Sequence, residues 1–100
     1  MTLHQRKLVT IVAEGALEEK ISEALSRFAV GGYTITDARG TGSRGRRSAD
    51  TSDTCNIRFE VVCKEGVAEP LMEQLITQFG RDFALVAYVS DVTVLRADKF

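Results

Sequence analysis

Between Gly40 and Ser48 the chain reads Gly-Thr-Gly-Ser-Arg-Gly-Arg-Arg-Ser, which places three glycines, three arginines and three hydroxyl side chains in nine consecutive residues. Glycines let backbone N–H groups converge on an anion, hydroxyls add donors, and guanidinium forks match the geometry of a phosphate or carboxylate. These residue types suit a phosphate or small-anion clamp. The spacing is not that of a Walker loop, since GxxxxGK[ST] is absent, and no GxGxxG stands in a strand-to-helix turn. On residue types alone, a solvated flexible loop, a small-anion site and a nucleic-acid contact all stay open.

Nucleophilic chemistry has few candidates. His4 is the only histidine and lies at the start of the chain, so a Ser-His or Cys-His pair is disfavoured. Cys55 and Cys63 are eight apart with no CxxC and no nearby histidine, which argues against zinc. Along one strand, at about 3.3 Å per residue, they stand roughly 26 Å apart, beyond disulfide reach. Two reduced thiols are expected. No two carboxylates have a spacing that compels acid–base catalysis or a metal site, and Asp50 and Asp53 partly offset the arginines as solubilising charges. The chain does not read as an enzyme.

The elements that must position the Arg/Gly segment follow from apolar periodicity. Residues 7–13 form a short β-branched run that fits a central strand. Leu17, Ile21, Ala24, Leu25 and Phe28 make one stripe of an amphipathic helix that stops at Gly31-Gly32. Residues 33–39 read as a second strand, and Ile57, Phe59, Val61 and Cys63 alternate with more polar neighbours in a third. Val67, Leu71, Leu75 and Phe79 recur every four residues, giving a second helix over 67–79, with Pro70 tolerable only in its first turn. Residues 83–89 form a fourth strand, and 92–96 a short continuation or extra edge strand. The order is βαββαβ. It predicts an α+β ferredoxin-like sandwich, with two helices on one face of a four-stranded antiparallel sheet and a long mobile loop, residues 40–54, between strands 2 and 3 as a hairpin extension that orders on binding.

A chain of 100 residues amounts to one domain, taken here as residues 1–100. Its 44% hydrophobic and 27% charged residues are an ordinary globular balance. No apolar run approaches a membrane span and the first residues lead into a strand, so a cytoplasmic location is expected, with membrane contact only through a partner. The net charge of −1 supplies no global field for nucleic acid. An uncovered sheet face carrying several apolar groups predicts burial against other subunits.

Gly32-Tyr33-Thr34-Ile35-Thr36, then Gly40-Thr41-Gly42-Ser43-Arg44 with Arg47-Ser48, then Asn56-Ile57-Arg58-Phe59-Glu60-Val61, resemble the PII signalling superfamily over roughly residues 7–95. More closely they resemble its inorganic-carbon branch, the carboxysome-associated PII proteins and the PII-like partners of bicarbonate transporters. The resemblance implies a homotrimer with an adenine nucleotide in each of three intersubunit clefts. It implies that Gly32, Tyr33 and Thr34 contact base and ribose, that Gly40, Gly42, Ser43, Arg44 and Arg47 lie at the phosphates, and that Glu60 and Val62 line the base. Arg58, on the same strand face as Glu60, and Arg46 are candidates for a second anion, bicarbonate. Arg96 could reach a neighbouring subunit's phosphate or be a solvated tail arginine.

The nitrogen branch carries a Gly-Asp-Gly-Lys phosphate loop before the last strand; here that stretch is Gly80-Arg81-Asp82-Phe83-Ala84, without the lysine. The modifiable tyrosine of that branch's loop is absent too. ADP and AMP are therefore the expected ligands, with no catalytic cofactor. The resemblance implies a non-enzymatic sensor of inorganic-carbon uptake or carboxysome-linked CO2 fixation, whose target is a bicarbonate transporter or a carboxysome-associated protein. The alternative is a nucleic-acid-binding ferredoxin-like domain using the arginine loop, against which stands the lack of an RNP1-type run on the third strand. An acylphosphatase-like hydrolase would need an Arg-Asn pair in a phosphate loop after the first strand, which is not present.

Overall fold

The computed structural model describes residues 2–42, 45–46, 55–96 and 98. Strand β1 (His4–Glu14) leads through a 3-10 turn (Gly15–Leu17) into helix α1 (Glu18–Leu25). Then come β2 (Thr34–Ala38), β3 (Thr41–Gly42), β4 (Gly45–Arg46), β5 (Asn56–Cys63), helix α2 (Glu65–Phe79) and β6 (Val86–Val94). The main sheet is antiparallel with order β2-β5-β1-β6. This is the expected ferredoxin-like α+β arrangement.

Side-chain alternation explains why the helices cover one face only. Val9, Ile11 and Ala13 of β1 and Ile57, Phe59, Val61 and Cys63 of β5 are buried with Leu17, Ile21 and Leu25 and with Leu71, Leu75 and Phe79 of α2. β1 is central, flanked by β5 and β6, which is why it tolerates a nearly continuous apolar run. The remaining positions of each strand point to the open face. There Val86 and Tyr88 of β6 are 57% and 50% exposed.

Several boundaries differ from the periodicity reading. α1 ends at Leu25 rather than running to Phe28, because the N–H groups of Arg27 and Phe28 turn tightly onto Ala24 O and Leu25 O (3.2 and 3.1 Å). α2 begins at Glu65, so Pro70 lies beyond the first turn and removes the hydrogen bond to the Gly66 carbonyl, which solvent serves instead because Gly66 is exposed. The last strand is one continuous element starting at Val86. Phe83 instead donates its N–H to Phe79 O (3.1 Å), and Phe83 and Leu85 pack on the core as a connection.

The 40–54 segment was expected to hold no regular structure, yet it carries a two-residue ladder in which Thr41 pairs with Arg46 and Gly42 with Gly45. The expected mobility of the segment as a whole, like residues Ser43, Arg44 and 47–54, lies outside the described residues. Its two ends are fastened. Ala38 pairs with Asn56, and the Gly15 N–H donates to Cys55 O at 2.7 Å, an approach so close that a Cβ on Gly15 would stand 2.9 Å from that oxygen. Both cysteines are free thiols, Cys55 exposed and Cys63 buried.

Candidate functional site

A cleft of about 480 Å3 opens on the uncovered side of the sheet, at the end where β2 begins. Gly32, Tyr33, Thr34, Glu60 and Val62 line it, and Leu8, Val92 and Val94 complete its wall. Its volume falls in the range of small-molecule sites. Five residues expected to hold base and ribose are thus neighbours in space.

Local structure explains each placement. Gly32 has φ +155°, a conformation that side chains rarely adopt, and it turns the chain into β2. The Tyr33 ring, 41% exposed, rests on the buried Phe59 ring with centroids 5.4 Å apart and an interplanar angle of 47°. Such a tilted pair is favourable and fixes the Tyr33 ring against the core side of β5, beside the start of β2. Glu60 is half-buried, opposite Thr34 on one side and Thr10 on the other. A carboxylate there accepts hydrogen bonds from an amine or a sugar hydroxyl, while Val62 and Leu8 supply apolar floor.

The described residues among those expected at the phosphates and the second anion sit elsewhere. Gly40 follows β2, and Gly42 and Arg46 belong to the small ladder. Thr34 and Ala38 stand four residue steps apart at the two ends of β2, about 13 Å of extended chain. Within one chain the cleft and the loop base are therefore distinct. Arg58 is exposed on the open face, opposite Thr36 and Val12, and forms no ion pair with Glu60. Arg96 is exposed and lies 3.7 Å from Asp98, which suits the solvated-tail reading.

Leu8, Val92 and Val94 were missed in the sequence. The signal was weak: open-face parity in β1, and a β6 that extends further than its apolar run suggested. A larger cavity, about 700 Å3, lies on the helix side between α2 and β6, over Ala68, Met72, Ile76 and Val89. Lys7 at its rim hydrogen-bonds Asp91, its register partner on β6, and this contact raises the Lys7 pKa. Among the described residues no three His, Cys, Asp or Glu side chains gather to hold a metal ion, and no helix is long and apolar enough to cross a membrane.

The chain is similar to known proteins of solved structure. A PII-like signaling protein of Thermus thermophilus is 45% identical, with 100% of this chain and 99% of that one covered and a TM-score of 0.87. CPII of Thiomonas intermedia, a nitrogen regulatory PII-like protein solved with ADP, AMP and bicarbonate, is 31% identical over 99% of this chain and 96% of that one, with a TM-score of 0.88. CPII with ADP, AMP and acetate matches at 31% identity, over 100% of this chain and 98% of that one, with a TM-score of 0.84. The sequence pattern of the family described as Nitrogen regulatory protein P-II matches residues 6–99. With that match over nearly the whole chain, and related folds covering it from end to end, the protein belongs to the nitrogen regulatory protein P-II family.

Proposed function

We propose that the chain is a non-enzymatic sensor of the inorganic-carbon branch of that family. It binds ADP or AMP, together with bicarbonate, in clefts between the subunits of a homotrimer, and reports ligand state through residues 40–54 to a bicarbonate transporter or a carboxysome-associated protein. The observation that carries this reading is the cleft that gathers Gly32, Tyr33, Thr34, Glu60 and Val62. It offers an acceptor, apolar walls and Tyr33 at its border, and no cationic group among its lining residues, so it suits adenosine better than phosphate. The arginines that suit phosphate belong to the loop.

Trimerisation reconciles those two halves. A neighbouring subunit can bring its loop to this subunit's cleft, and the same packing would cover the exposed Val86 and Tyr88. Binding of ADP, AMP and bicarbonate by CPII supports the ligand assignment. Calorimetric titration of the full chain with AMP, ADP, ATP and cyclic AMP, each with and without bicarbonate, tests it. Saturable binding of ADP or AMP, tightened by bicarbonate, is expected; no heat with any nucleotide overturns the reading.

A further inference from the structure

β6 ends the main sheet on one side, and among the described residues no strand pairs with its outer edge. It is 9 residues long, where a strand commonly has about five or six, and it pairs with β1 residue for residue without a bulge. Its sequence, Val-Ala-Tyr-Val-Ser-Asp-Val-Thr-Val, contains neither lysine nor proline, the residues that usually blunt a free edge. Its one charged side chain, Asp91, is tied to Lys7 of β1. β6 therefore presents a row of backbone N–H and C=O groups open to another strand.

Beside that edge lies the groove of about 700 Å3 between α2 and β6. Val89 stands opposite the buried Val9 and so faces the helices, where it shares the apolar floor with Met72 and Ile76. Val89 and Ile76 are 45% and 49% exposed. Glu69 and Glu73, one turn apart on α2, line the same groove, are exposed, and form no ion pair among the described residues. Lys7, the lining cation, is already engaged by Asp91 and Glu65. An aliphatic floor thus meets a negative rim.

These features select one occupant. An open strand edge takes up an extended segment, whose side chains alternate so that every second one projects over the groove. There an Arg or Lys suits both surfaces at once, with its aliphatic stem on Val89 and Ile76 and its charged end at Glu69 or Glu73. An acidic segment would meet like charge. Packing of open faces in a trimer leaves the groove accessible, because Val86 and Tyr88 stand on the side of the sheet away from Val89. We infer that β6 accepts an added strand from a partner protein, an extended segment with Arg or Lys at every second residue, and that Glu69 and Glu73 select it. The inference goes beyond the nucleotide reading and does not depend on it.

Fluorescence anisotropy of labelled synthetic peptides with the full chain tests it. A peptide of alternating arginine and threonine should bind saturably, and one of alternating glutamate and threonine should not. Glu69→Gln combined with Glu73→Gln should weaken the arginine peptide about tenfold, as expected for two rim charge contacts. Ile76→Ser should weaken it severalfold, which charge attraction alone would not produce. In an added strand all arginine N–H groups point to one side and all threonine N–H groups to the other. Of two peptides N-methylated at every arginine or at every threonine, one should therefore bind as before and the other should not bind. Unchanged thermal melting of the variants is expected, since the substituted side chains are exposed. No binding of the arginine peptide, or equal binding of the two N-methylated peptides, overturns the added strand. A fall in sedimenting mass on addition of the arginine peptide would give the edge to a neighbouring copy of this chain and overturn the partner assignment.

Discussion

Thr34 and Glu60 face each other across the β2–β5 ladder, Thr34 exposed and Glu60 half-buried, and Tyr33 lines the same cleft. This places an acceptor in a cleft that an aromatic residue borders. Tyr33→Ala should cost about 1–3 kcal/mol of binding, the usual contribution of a base on an aromatic ring. On the proposed assignment of Tyr33 to the base, adenosine and ADP should lose affinity equally, and fluorescence or calorimetric titration of both ligands checks this.

The arginines should behave in the opposite way. Arg47→Ala or Arg44→Ala should weaken ADP by about 1.5–3 kcal/mol while adenosine binds as before, because a charge-assisted contact to phosphate has no counterpart in the nucleoside. Equal losses for both ligands in calorimetry would show that these arginines do not touch phosphate.

Assembly should depend on the open face. Wild-type chain is expected to sediment at about three times its 11.0 kDa mass. A buried unpaired charge is costly at an interface, so Tyr88→Asp or Val86→Asp should shift the protein toward monomer and weaken nucleotide binding with it. Analytical ultracentrifugation at micromolar concentration reads the mass directly; a wild-type monomer would remove the intersubunit cleft.

The two thiols should report burial chemically. Cys55 is exposed and should react with a maleimide in the native state, whereas Cys63, fully enclosed behind β5, should react only on unfolding. Burial pushes the Cys63 thiol above its ordinary value of 9.0. A folded-state value raised above the unfolded one means that the neutral thiol's contribution is complete below about pH 9 and is lost as pH rises through the folded value. Urea midpoints should hold to about pH 9 and then fall, and Cys63→Val should flatten that fall.

Much of the fold was legible because burial on one face imposes a period. Val9, Ile11 and Ala13, and Ile57, Phe59 and Val61, alternate since a one-residue slip would expose each set. Phe83 and Leu85 misled because residues that pack a connection onto the core are as apolar as those of a strand. The grouping of Gly32-Tyr33-Thr34 with Glu60 in one cleft was legible, because these residues stand in short, recognisable blocks. Its other wall was not. Leu8 reaches Val92 and Val94 only through pairing between the first strand and the last, a juxtaposition without local signature. The groove between α2 and β6 was hidden for a related reason, since it joins a helix stripe to a strand that no local pattern marks as the end of the sheet.

The clamps at the ends of the 40–54 segment, Ala38 with Asn56 and Gly15 with Cys55, have an evolutionary consequence. They hold the departing and returning chain about one strand spacing apart, whatever lies between. Doubling the length of a flexible insert between fixed ends adds only about 0.6 kcal/mol of closure cost. The segment is therefore a replaceable cassette. Descendants of this chain can lengthen or shorten it beyond the arginines proposed for phosphate, to address a new target while the core and the open-face cleft stay under separate selection, and an engineer can graft a foreign recognition sequence there on the same terms.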